Sequence, residues 1–314
     1  SVSLHLIAQG SAGLFHRAIM QSGTASFRMR TAADARQQGA EFASALGCTS
    51  RDAAAVLVCL RSKAPNQVLA ARPPGQFEEF TETGRTQWGP IVDGVEISDQ
   101  PRYLYERGQF SQVPVLLGTN RDEGWMSVNR SFPAGLTADQ YWTALETEFG
   151  GDAAAILARY PASDFSSPKD ALARLVGDAE YVCEANRVAR LMERTKTPVF
   201  LYSFEYEVDP VVADRVVHGL EVNFVFGNSY GPPLFTPYAL GPAEVALFHV
   251  IGGYWTRFAN SGDPNSDDPA VVQWPAFKHP TGLGRGADKH LTFDVSVREG
   301  KRNREAECDF WEAY

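Results

Sequence analysis

No stretch of this 314-residue chain approaches the roughly 18 consecutive apolar residues of a membrane-crossing helix, so no transmembrane segment is expected. Cysteine is scarce. Cys48, Cys59, Cys183 and Cys308 form no Cys-x-x-Cys pair and share no zinc-type spacing with histidine, so no metal site is expected. Basic charge is short as well: 29 Lys and Arg face 38 Asp and Glu, a net charge of −9. A nucleic-acid partner needs a basic footprint, so none is expected, and the acidic excess suits a soluble, self-repelling surface. No internal repeat or low-complexity segment appears.

What is present is a globular composition. With 44% hydrophobic residues, the chain can bury the core of one large domain or two ordinary ones. Residues 1–9 read as a short helix and 17–23 as a buried strand ending in a turn. Thr31 with Asp34 makes a capping pattern for a helix reaching Leu46, and Thr49 with Asp52 repeats it ahead of Val56, Leu57 and Leu60. Residues 72–84, with Pro73-Pro74-Gly75, read as loop. The apolar run 113–118 suits a strand covered on both faces, with Pro114 at its start. Helices are expected over 137–149 and 178–194, with a second central strand at 199–204. In the clearest helix, 242–260, Leu247, Val250, Ile251, Tyr254, Trp255 and Phe258 share one stripe, with Gly262 past the end. Residues 290–294 should be a last edge strand. This alternation of helices and strands points to an α/β layered fold.

Glu123 follows Leu116-Leu117-Gly118 where a strand should end and Gly124 allows a sharp turn, the usual place for functional groups in open α/β sheets. A solvated loop carboxylate or helix cap is the competing reading, and the neighbouring Asp122 is assigned to capping. His218 lies in a loop that begins at Asp209-Pro210. A core or surface histidine is the default for any of the six, and His5, His16, His249, His279 and His290 are read as structural. An acid past an apolar strand, followed by a loop histidine, has the order of the last two members of a Ser…Glu…His relay.

The segments Gly118-Thr119-Asn120-Arg121-Asp122-Glu123-Gly124 and Val217-His218-Gly219-Leu220-Glu221-Val222-Asn223-Phe224-Val225-Phe226-Gly227 resemble the type-B carboxylesterase family of carboxylesterases, cholinesterases and secreted lipases. Gly89-Pro90-Ile91-Val92-Asp93-Gly94 and the run from Trp255 to Asn265 add to the likeness. The opening Ser1-Val2-Ser3-Leu4-His5-Leu6 resembles the run behind that family's Gly-x-Ser-x-Gly nucleophile elbow.

The resemblance implies an α/β-hydrolase fold, a mostly parallel central sheet flanked by helices, with residues 1–314 as the C-terminal portion of one domain starting just after the nucleophile. It implies a carboxylic ester hydrolase in which His218 is the general base and Glu123 orients it. Ser22 matches a buried serine that donates to the acid, with an ordinary strand-end serine as the alternative. Glu221 reads as a helix or loop carboxylate. Trp125, Met126 and Phe226 are candidate walls of a substrate pocket, which is mainly apolar in such sites. The expected substrate is a small-molecule or lipid ester, with no cofactor. A non-catalytic cholinesterase-like adhesion module and an inactive truncated fragment are the alternatives. By spacing alone, four free thiols and two disulfides stand about even. The family implies Cys48–Cys59 and Cys183–Cys308, and with them a secreted or periplasmic protein. A continuous helix would hold Cys48 and Cys59 about 16 Å apart, so the segment between them must double back.

Overall fold

The computed structural model describes residues 1–23, 28–71, 88–208, 214–227, 240–279 and 288–313. The expected loop at 72–84 and the Asp209-Pro210 loop start lie outside these residues. The strands are β1 (Ala18–Gln21), β2 (Arg30–Thr31), β3 (Ile91–Val92), β4 (Val115–Asn120), β5 (Val199–Phe204), β6 (Lys289–Phe293) and β7 (Arg298–Lys301). Five of them form one sheet in the order β1-β4-β5-β6-β7, and β2 pairs with β3 in a small separate ribbon. β1, β4, β5 and β6 run parallel, while β7 returns antiparallel along β6.

Every residue of β4 and β5 is buried, as unbroken apolar runs require when helices cover both faces. The two-residue period divides them. Val115, Leu117, Val199 and Leu201 face a core with Leu6, Met20, Val188 and Met192. Leu116, Phe200 and Tyr202 face an aromatic core with Phe224, Phe258, Trp274 and Phe293. Gly118 stands opposite Tyr202, and a Cβ there would come within 2.4 Å of the tyrosine ring, so only glycine lets that ring lie over the strand. A third core joins the helices Ala138–Phe149, Ala153–Arg159 and Pro168–Gly177 to the C-terminal helix Glu305–Glu312.

Local chemistry explains most boundaries. Thr31 caps the helix Ala32–Ala45 in a reciprocal box with Asp34, and Thr137 does the same with Gln140 for Ala138–Phe149. The helix Ala53–Arg61 is capped by Asp52, not by Thr49, because the carboxylate accepts from Ala54 N–H at 3.0 Å. The apolar stripe of Pro242–Ser261 ends at Gly262, whose φ of 85° is the left-handed stop glycine supplies cheaply. The expected helix over 178–194 begins instead with a π-helical segment, Asp178–Val182, continuous with Pro168–Gly177 before it and Cys183–Glu193 after it. The expected edge strand is likewise not an edge, because β7, four residues of mostly exposed polar side chains that no apolar pattern marks, covers β6.

Both disulfides are present. Cys48–Cys59 has its Cα atoms 5.7 Å apart because residues 46–52 reverse the chain between two helices. Cys183–Cys308 ties the helix after the π segment to the C-terminal helix. Among the described residues, no helix is long and apolar enough to cross a membrane.

Candidate active site

Three segments converge at the carboxyl ends of the parallel strands, where open α/β sheets place functional groups. β1 ends at Gln21 and delivers Ser22. β4 ends at Asn120 and delivers Glu123. His218 sits in a turn that returns after β5 and is sewn to the β4 end: Asp122 N–H donates to Val216 O at 2.9 Å, and Val216 N–H donates to Asp122 Oδ2 at 2.9 Å. Asp122 therefore does not cap a helix. The cap of Trp125–Ser131 is Gly124, and Asp122 is a strut for the histidine turn.

Glu123 is 1% exposed and meets three hydrogen-bonding partners. Its Oε1 accepts from Ser22 Oγ at 2.6 Å and from Asn120 N–H at 2.6 Å. Its Oε2 lies 2.6 Å from His218 Nδ1. A carboxylate only accepts, so Nδ1 carries the hydrogen and Nε2 keeps its lone pair. The imidazole is 46% exposed, with the Tyr181 ring against it at 5.1 Å. The arrangement is a buried acid orienting a half-exposed base.

Ser22 reaches Glu123 from a backbone φ of 50°, uncommon for a residue with a side chain. Gly124 has an ordinary φ of −79°, so the turn itself does not require glycine. The requirement is space: a Cβ there would lie 2.4 Å from Ala173 O. Glu123 is thus set by close contact with the helix Pro168–Gly177.

A second carboxylate lies beneath, read in the sequence as a helix or loop carboxylate and standing on the helix Leu220–Phe226, though its burial was not foreseen. Glu221, 2% exposed, accepts from Asn120 Nδ2 and from Gln21 Nε2, the latter at 3.2 Å. Burial, and then the Glu123 charge, push it above the usual glutamate range against the pull of those two donors. Glu221 and Asn120 both stand inside the segments that carry the family resemblance. No residue pattern marked them as partners, because their contact depends on how β4 meets the histidine turn.

Trp125 borders a cavity of about 210 Å³ shared with Arg121, Asp122, Arg174 and Arg215, with Lys169 Nζ 5.9 Å from its ring centre. Met126 packs against the aromatic core, and Phe226, at the end of Leu220–Phe226, is 66% exposed. A second histidine–carboxylate pair, His279 with Asp288 at 2.9 Å, was not foreseen. Asp288 also accepts from buried Arg190 at 2.8 Å, so its charge is already matched. Among the described residues, no group of three His, Cys, Asp or Glu could hold a metal ion.

A mostly parallel sheet flanked by helices, with an acid and a histidine gathered at its strand ends, is an α/β-hydrolase fold. The chain belongs to the carboxylesterase family, whose model matches residues 1–311. It is 28% identical over 341 aligned residues to a cholinesterase of Mus musculus, an alignment that takes in 100% of this chain and 54% of the relative. The chain thus spans about half the length of the curated relative it matches.

Proposed function

We propose that the chain carries the acid and the base of a serine carboxylic ester hydrolase, as the C-terminal portion of a single domain whose nucleophile lies upstream in a Gly-x-Ser-x-Gly turn. The observation behind this reading is the 2.6 Å approach of His218 Nδ1 to buried Glu123. In the reaction, His218 Nε2 takes the serine proton as Oγ attacks the ester carbonyl carbon. The imidazolium then returns the proton to the departing alcohol, leaving an acyl-enzyme that water cleaves by the same relay. Glu123 fixes the tautomer and stabilises the imidazolium, and Ser22 holds Glu123. All of these are protein groups, so the chemistry calls for no cofactor.

The substrate is a small-molecule or lipid ester, with Trp125, Met126 and Phe226 the apolar surfaces offered to it. A non-catalytic adhesion module has no use for a buried carboxylate aimed at a half-exposed imidazole, which favours the enzyme. Two disulfides suit an oxidising compartment, hence a secreted or periplasmic protein.

The test joins these residues to the segment encoded immediately upstream and measures p-nitrophenyl ester turnover. The expected protein is inhibited by a serine-directed phosphonate. His218→Ala lowers kcat by about 10⁴-fold or more, Glu123→Gln by less, and Asp122→Asn, which keeps an oxygen for Val216 N–H, by least of the three. An upstream segment without such a serine, or turnover indifferent to His218, sinks the reading.

A further inference from the structure

Glu221 sits where three pieces of the site are held together. Its Oε1 accepts from Gln21 Nε2 at 3.2 Å, and Gln21 immediately precedes Ser22. Its Oε2 accepts from Asn120 Nδ2. The same Nδ2 donates to Val217 O at 2.8 Å, one residue before His218, while the Asn120 backbone N–H donates to Glu123 at 2.6 Å. Trp255 Nε1 closes the network on Gln21 Oε1 at 3.4 Å.

We propose that Glu221 is a positioning residue for the Glu123–His218 pair: by fixing Gln21 and Asn120 it sets where Ser22, Glu123 and His218 stand. The proposal rests on the reading of Glu123 and His218 as acid and base. Asn120 Nδ2 carries two hydrogens, and Val217 and Glu221 take one each. Without the Glu221 oxygens, one Asn120 N–H would be buried unpaired and the part-buried Gln21 NH2 would lose its acceptor, and the relief is to move, dragging the neighbouring residues with them. Burial and the Glu123 charge push Glu221 above the usual glutamate range against the pull of Asn120 and Gln21, the expected signature of two carboxyl groups held close in one buried network. Tyr202, fully packed beside this network, has its hydroxyl raised by burial and then by Glu221 and Glu123.

The experiment reads the hydrogen bond itself in the 314-residue chain. The His218 Nδ1–H, donated to a carboxylate, gives a low-field proton NMR signal, assigned by its disappearance in His218→Ala. Glu221→Gln keeps an acceptor for Asn120 and should keep the signal. Glu221→Met keeps the bulk, loses both acceptors, and should lose the signal or exchange it about tenfold faster or more. A wild-type signal in Glu221→Met overturns the proposal, as does its loss in both variants. If Glu221→Met unfolds by near-ultraviolet circular dichroism, Gln21→Met, which cuts one arm of the network, takes its place with the same two readings. Because no turnover is measured, a chain that hydrolyses no ester still passes or fails this test on its own.

Discussion

Gly124 and Gly177 lie backbone against backbone, and the contact is asymmetric. A Cβ on Gly124 would come 2.7 Å from Gly177 N and 2.4 Å from Ala173 O, whereas a Cβ on Gly177 would stand 3.3 Å from Gly124 N. The first collision is with a helix backbone that cannot yield, so Gly124→Ala should cost about 3 kcal/mol and displace the Glu123 loop. Gly177→Ala needs a shift of a few tenths of an ångström and gains helix propensity, so its net cost should stay under about 1 kcal/mol. Urea denaturation of both variants checks the order. Equal losses would mean that helix packing does not set the loop.

Ser22 separates strain from hydrogen bonding. Ser22→Ala keeps the φ of 50° and removes the 2.6 Å donation to Glu123, so about 2 kcal/mol should be lost. Ser22→Gly removes the same bond but relieves the backbone, and should be about 1 kcal/mol more stable than the alanine variant. The two melting temperatures decide it; a glycine variant no better than alanine contradicts the strain.

What was legible in the sequence depended on how local its cause was. The buried strands β4 and β5, the cap at Thr31 and the stop at Gly262 each follow from a few adjacent residues, and they stand where those residues place them. β7 was missed because Arg-Glu-Gly-Lys has no apolar face; it is a strand only because β6 offers it hydrogen bonds. Asp122 was misread as a cap because its partner, Val216, is far along the chain. The segments holding Glu123 and His218 were legible through family likeness. Their meeting, and the Glu221 network below them, exist only once three strand ends are brought together.

Asp178 gives the stability a pH dependence of definite sign. Fully buried between Arg304 at 2.7 Å and Tyr160 at 3.2 Å, its carboxyl is pushed up to about 6, because burial outweighs the pull of Arg304 and Arg174. In the unfolded chain it should titrate near about 4. The folded state therefore binds this proton more tightly, and the stability it lends is full below about pH 4 and lost as pH rises through about 6. Urea midpoints from pH 4 to pH 7, compared with Asp178→Asn, should fall with rising pH in the wild type relative to the variant. A relative rise would mean that the Arg304 ion pair, not burial, governs the group.

The two disulfides should contribute unequally. They close loops of 11 and 125 residues, for which chain entropy gives about 3 and about 5 kcal/mol. Surroundings widen the gap. Cys48 is buried but Cys59 sits on a helix with no buried residue, whereas Cys183 and Cys308 are both in the core, where Asn186 Nδ2 approaches Cys308 Sγ at 3.4 Å. Cys183 also follows the π segment that presents Tyr181 to the His218 ring at 5.1 Å, so releasing it loosens a wall of the candidate site. Replacing Cys183 and Cys308 with serine should lower the urea midpoint more than replacing Cys48 and Cys59, and it alone should broaden the His218 ring resonances. Equal midpoints, or unchanged His218 resonances after loss of the long bridge, would detach that bridge from the site.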